Sequence, residues 1–88
     1  MQLSRRFEEI ELLFHGLMES AKSELSESEC TEIQEYIDVG EYGLALRTAV
    51  AIYAEENKVA SIAVRDFIRR LASAMNIDVD QLLGRLPN

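Results

Sequence analysis

The sequence predicts an all-α fold, a compact bundle of four main helices plus a short C-terminal helical turn, in a single domain spanning residues 1–88. Three observations carry this. Apolar residues recur at steps of three and four along most of the chain. Helix-starting residues (Ser26, Ser61, Asp78) and helix-stopping residues (Gly40, Asn57, Asn76, Gly84) fall between the periodic stretches. No segment alternates with period two over a useful length, and Pro87, the only proline, interrupts no helix interior.

The first helix is expected from about Ser4 to Lys22. Leu3, Phe7, Ile10, Phe14, Leu17 and Ala21 form its apolar stripe, with Glu8, Glu11, His15, Glu19 and Lys22 on the other side. The second helix opens at Ser26, with Glu29 completing a capping box and Leu25 and Cys30 at the hydrophobic-staple positions. Cys30, Ile33 and Ile37 should point inward, and Gly40 should end the helix in the left-handed conformation. The third, about Glu41 to Glu56, is apolar almost all round and is expected to be the most buried element, with Asn57 as its stop. The fourth runs from near Ser61 to Met75. Val64, Phe67, Ile68, Leu71, Ala72 and Met75 are its inner stripe; Arg65, Asp66, Arg69, Arg70 and Ser73 its outer one, with Asp66–Arg70 a favourable i,i+4 pair. A final turn from Val79 to Leu83 is capped by Asp78, with Ile77 and Leu82 as staple.

Composition narrows the function. A chain of this length buries roughly 60–65% of its unfolded surface, enough to fold alone. The longest apolar run, Leu44 to Ala54, is interrupted by Arg47 and Thr48, so no stretch approaches the roughly 20 apolar residues of a membrane span. Glu8, Glu9 and Glu11 follow Arg5 and Arg6 at once, which leaves no signal-peptide core. The single cysteine, Cys30, makes no internal disulfide, and a cytoplasmic setting is expected. The net charge of −7 opposes binding to a nucleic-acid backbone and fits a basic partner.

Catalytic and metal chemistry find little support. One His and one Cys lie on different faces, His15 reading as a solvated surface residue and Cys30 as a small core residue. Glu8/Glu9, Glu27/Glu29 and Glu55/Glu56 read as solvated helix ends, and no acid interrupts an apolar stripe, as an acid–base pair with one raised pKa requires. No phosphate-binding glycine loop or Ser–His–Asp set is present. The chain is therefore read as a non-enzyme without cofactor or metal.

The stronger signal is acidic. From Glu8 to Glu41 there are eleven Asp or Glu residues and one basic residue, Lys22. Glu32, Glu35 and Asp38 follow one another by three and share a helical face, with Tyr36 beside them and Glu41 and Tyr42 at the Gly40 corner. The plain reading is a solvated helix face. The absence of compensating lysines and the neighbouring aromatic favour a partner-binding surface made of Glu32, Glu35, Tyr36, Asp38, Glu41 and Tyr42. Tyr42 equally fits the core, on a stripe with Leu46, Ala49, Val50 and Tyr53.

The segment Asp38-Val39-Gly40-Glu41-Tyr42-Gly43-Leu44-Ala45 resembles the corner of MafI-type immunity proteins and of related immunity proteins of contact-dependent growth inhibition systems. The likeness extends in layout to the glutamate-rich first helix, the opening Leu25-Ser26-Glu27, and Ser61 followed by Ala74-Met75-Asn76-Ile77-Asp78. Such a family implies a bacterial cytoplasmic protein that neutralises a cognate toxin domain, often a nuclease, whose basic active-site region an acidic surface can cover. Two similar groups fit less well. Acyl carrier proteins need an Asp-Ser-Leu, which is absent, and the nuclease-colicin immunity proteins carry an adjacent tyrosine pair, also absent. The alternative is a small acidic helical adaptor or regulatory module with no toxin. Leu12, Leu13 and Met18 widen the apolar surface of the first helix, but a monomer is expected over a homodimer because the third helix needs covering on several sides.

Overall fold

Five helices follow the order that the periodicity predicts: α1 (Gln2–Ala21), α2 (Glu27–Asp38), α3 (Tyr42–Glu55), α4 (Ile62–Ala74) and α5 (Val79–Leu83). The computed structural model describes the backbone of residues 2–88 and the side chains of residues 6–88. Among the described residues there is no strand, so the chain is an all-α bundle with a short C-terminal helix. The Leu3 side chain, placed by periodicity on the apolar stripe of α1, lies outside the described residues.

Local chemistry sets the helix ends. The Ser26 hydroxyl accepts from the Glu29 N–H at 3.1 Å, and the Glu29 carboxylate accepts from the Ser26 N–H at 2.8 Å. Ser61 and Asp78 accept in the same way from Val64 and Gln81, each at 3.2 Å. Three helices stop by one device, a residue at positive φ: Gly40 (78°), Asn57 (53°) and Asn76 (58°). The N–H of the following residue then reaches back to the carbonyls of Tyr36, Tyr53 and Ala72 at 2.8–2.9 Å, the Schellman arrangement. Gly84 differs, with an ordinary right-handed φ of −65°.

The most extensive contact joins α1 to α4, and the next joins α2 to α3. Gly16 lets α1 and α4 approach, because the Phe67 ring occupies the space where a Cβ would stand, 2.3 Å from that position. Glu9 and Leu13 share a hollow with Arg70 and Ala74, so the two helices run antiparallel. Twenty residues of α1 span about 30 Å and thirteen of α4 about 20 Å. The N-terminal turns of α1 therefore extend past the end of α4. This corrects one expectation: Phe7, on the apolar stripe by spacing, is 51% exposed.

The core comprises Ile10, Phe14, Leu17 and Ala21 of α1, Ile33 and Ile37 of α2, Ala45, Leu46, Ala49, Val50 and Tyr53 of α3, and Val64, Ile68, Leu71 and Ala72 of α4, with Leu25 and Ala60 from the connections, closed by Leu82 and Leu86. Helix α3 is buried on one side only, and Leu44 is 49% exposed, so it is not enclosed all round as its composition implied. Cys30, Phe67 and Met75 are half-buried at the core margin. Arg65 is not a purely outer residue. Its guanidinium donates to the carbonyl of Pro87 at 2.6 Å and holds the C-terminal segment against α4.

Two substitutions test these constraints by urea denaturation. A Cβ at Gly40 meets nothing within 4 Å, so any loss there is backbone strain. Gly40→Val should lower stability by about 1–2 kcal/mol, and Gly40→Asn by much less, since asparagine tolerates this conformation. Gly16→Leu should lower it by about 1–3 kcal/mol through overpacking against Phe67, despite leucine's better helix propensity.

Candidate functional site

The six residues singled out by sequence divide into two groups. Helix α2 holds five acidic residues, Glu27, Glu29, Glu32, Glu35 and Asp38, and no basic one. Glu32, Glu35 and Asp38 are exposed, as is Glu41 at the corner. None of these four takes part in a salt bridge among the described residues. Asp38 accepts a hydrogen bond from the Gln34 amide at 2.9 Å. Tyr36 is half-buried against the core at the margin of α2, four residues from Glu32 and so on the same side of the helix. These residues share one continuous surface.

Tyr42 belongs elsewhere. Its ring stacks on Phe14 of α1 at a centroid distance of 5.9 Å and lies 6.3 Å from Phe7. Its hydroxyl donates to the Glu11 carboxylate. That hydrogen bond first, and burial second, raises the phenol above its ordinary pKa, so Tyr42 remains a neutral donor. Glu11 therefore joins the candidate surface. It also lines a cleft of about 200 Å³ between α1 and α2 with His15, Glu19, Gln34 and Ile37.

A second polar cluster was not legible in the sequence. Tyr53 is fully buried, and its hydroxyl donates to the Glu24 carboxylate at 2.6 Å. The Ser61 N–H points to the same oxygen at 3.4 Å. The Lys58 ammonium donates to the Glu24 carbonyl at 3.0 Å and to the Glu29 carboxylate at 3.2 Å. Burial first, and the Glu24 bond second, push the Tyr53 phenol far above the usual range. Glu29 is correspondingly more than the solvated helix end its sequence implied. The Ser26 N–H, followed by Lys58, holds its carboxyl below the usual carboxylate value against an opposing effect of burial. The only sequence signal for the cluster is the isolated Lys58 beside a helix stop.

Nucleophilic chemistry has poor materials here. Burial, and then the neighbouring Glu29, push the Cys30 thiol up, which disfavours its thiolate. Among the described residues, no three His, Cys, Asp or Glu side chains gather as a metal site. No described helix is long and apolar enough to cross a membrane. In comparisons with known proteins, no family model, curated protein or solved structure matches this chain.

The Glu24 and Glu29 cluster should respond to mutation and to pH. Tyr53→Phe should cost about 1.5–3 kcal/mol in urea denaturation, because it removes a hydrogen bond to a charged group. Glu29 has a lowered folded-state pKa, so its contribution is fully present above the unfolded glutamate value of about 4.3 and is lost as pH falls through the folded value. Glu29→Gln should therefore flatten the fall in stability on the acid side, read from melting temperatures between about pH 3 and pH 6.

Proposed function

We propose that this chain is an immunity protein: a cytoplasmic inhibitor that binds a cognate basic toxin domain, of the nuclease class, and covers its active-site region with an acidic surface. A single observation carries the reading. Glu32, Glu35 and Asp38 stand exposed on one face of a helix that has no basic residue, with half-buried Tyr36 at the margin. A nuclease site is positive because it holds a phosphate backbone, and carboxylates can occupy the same cationic groups. The acids steer association, and the aromatic ring supplies a contact that resists dissociation. The resemblance around Gly40 supports the toxin partner in particular; the charge distribution supports a basic protein partner in general. Inhibition by binding needs neither cofactor nor chemistry from the chain itself.

The test is co-expression with a candidate cognate toxin domain, with survival and binding kinetics measured together. Replacing Glu32, Glu35 and Asp38 by Lys should slow association and abolish protection while the helical circular dichroism persists. The interface should bury roughly 800 Å² per partner, and association should slow as salt is raised. Tyr36→Ala should mainly hasten dissociation. Arg70→Glu is the control, since its guanidinium lies away from this face, paired with Asp66 at 2.8 Å. Arg65 is unsuitable as a control because it holds the C-terminal segment. Full protection by the triple Lys variant would move the binding surface off α2.

A further inference from the structure

A second surface feature lies where α1 meets the start of α3. Phe7, Glu8, Glu11 and Leu12 of α1, with Tyr42 at the start of α3, line an open hollow of about 670 Å³. Its apolar members are unusually accessible: Phe7 is 51% and Leu12 72% exposed. Glu11 is fixed by the Tyr42 hydroxyl, so the hollow has one positioned carboxylate and a second, Glu8, on its rim. Large apolar side chains left in water beside two carboxylates, one of them held in place, call for an occupant that is both apolar and cationic.

We infer that this hollow is the anchor site for an arginine side chain of a basic protein partner, its aliphatic stem against Phe7 and Leu12 and its guanidinium meeting Glu8 and Glu11 beside the Tyr42 ring. Arginine matches on three counts. Its stem covers apolar surface while its head stays hydrated. Its planar head stacks on aromatic rings. Its fork of N–H donors suits a carboxylate with unfilled lone pairs, and Glu11 has these even while accepting from Tyr42. A second copy of this chain fits badly, because a two-fold contact would bring Glu8 and Glu11 toward their own equivalents. An anionic lipid surface is repelled for the same reason. The inference rests on the reading of the chain as a binder of a basic protein and adds a second contact point to it, through Glu11, which the hollow shares with the cleft between α1 and α2.

The experiment titrates the isotope-labelled full chain with the capped peptide acetyl-Leu-Arg-Leu-amide and follows backbone amide shifts by NMR. Saturable shifts should centre on Phe7, Glu8, Glu11, Leu12 and Tyr42. Citrulline in place of arginine keeps the shape without the charge and should bind roughly tenfold more weakly. Phe7→Ala with Leu12→Ala alters exposed side chains and should weaken binding by a similar factor in a protein that remains folded. The α2 triple Lys variant should keep the peptide shifts at the hollow. Absence of saturable shifts, equal response to citrulline, or full binding by the Phe7/Leu12 variant would overturn the arginine site. So would concentration-dependent shifts of the same amides without peptide, which would identify a second copy as occupant. None of these results involves the toxin, so the arginine site can fail while the α2 surface still protects, and the reverse.

Discussion

Burial of the Tyr53 side chain sets a constraint that much of the bundle obeys. A phenol placed inside a core costs free energy unless its hydroxyl is bonded. Here the bond goes to Glu24, in the connection between α1 and α2. That carboxylate also faces the Ser61 N–H at the start of α4, while the Glu24 carbonyl receives Lys58 from the end of α3. The Tyr53 carbonyl in turn accepts the Lys58 N–H that closes α3. Two chain connections, α1–α2 and α3–α4, thus meet around one ring. Because Lys58 also holds Glu29 in the first turn of α2, the same junction fixes how α2 is presented to solvent.

That presentation sorts the acidic residues by role. Glu24 and Glu29 face inward and are bonded by tyrosine, lysine and backbone donors. Asp66 is shared between Arg69 and Arg70. Glu32, Glu35, Asp38 and Glu41 face outward and form no salt bridge among the described residues. Sequence counting treats all of these carboxylates alike. The structure separates those that hold helices together from those whose field extends into solvent, where a charged partner would meet it.

The fold was largely legible because its signals are local. The Ser26–Glu29 box, the Gly40, Asn57 and Asn76 stops and the Asp78 cap depend on residues within a few positions of one another, and each bond forms as spacing predicts. What escaped depends on distant approach. The Tyr53–Glu24 bond joins residues 29 apart and Tyr42–Glu11 residues 31 apart. Periodicity could assign Phe7 to a stripe but not reveal that α4 ends before covering it. Gly16 gave no signal either, since only the Phe67 ring in its place explains why a helix interior tolerates a glycine. The α2 acids were legible as one face; the turn of Tyr42 onto α1 was not, because either neighbour suits an amphipathic ring.

The exposed apolar side chains bear on how an acidic surface could be selective. Negative charge alone attracts any cation and is weakened by salt. Selectivity needs positions where shape and apolar contact accompany the charge. Leaving Leu12 largely and Phe7 about half in water forgoes part of the roughly 1.5–3 kcal/mol that full burial of each would contribute, whereas exposed glutamates remain hydrated and cost the fold little. In the proposed complex a partner would recover that burial at the hollow, and Glu11, held by Tyr42 and shared with the α1–α2 cleft, would keep the anchor and the acidic face in fixed relation. A basic domain with its arginine in the wrong place would meet the same field but not the same contact. In the proposed complex the acids of α2 would set how fast a partner arrives, and the hollow between α1 and Tyr42 would help decide which partner stays.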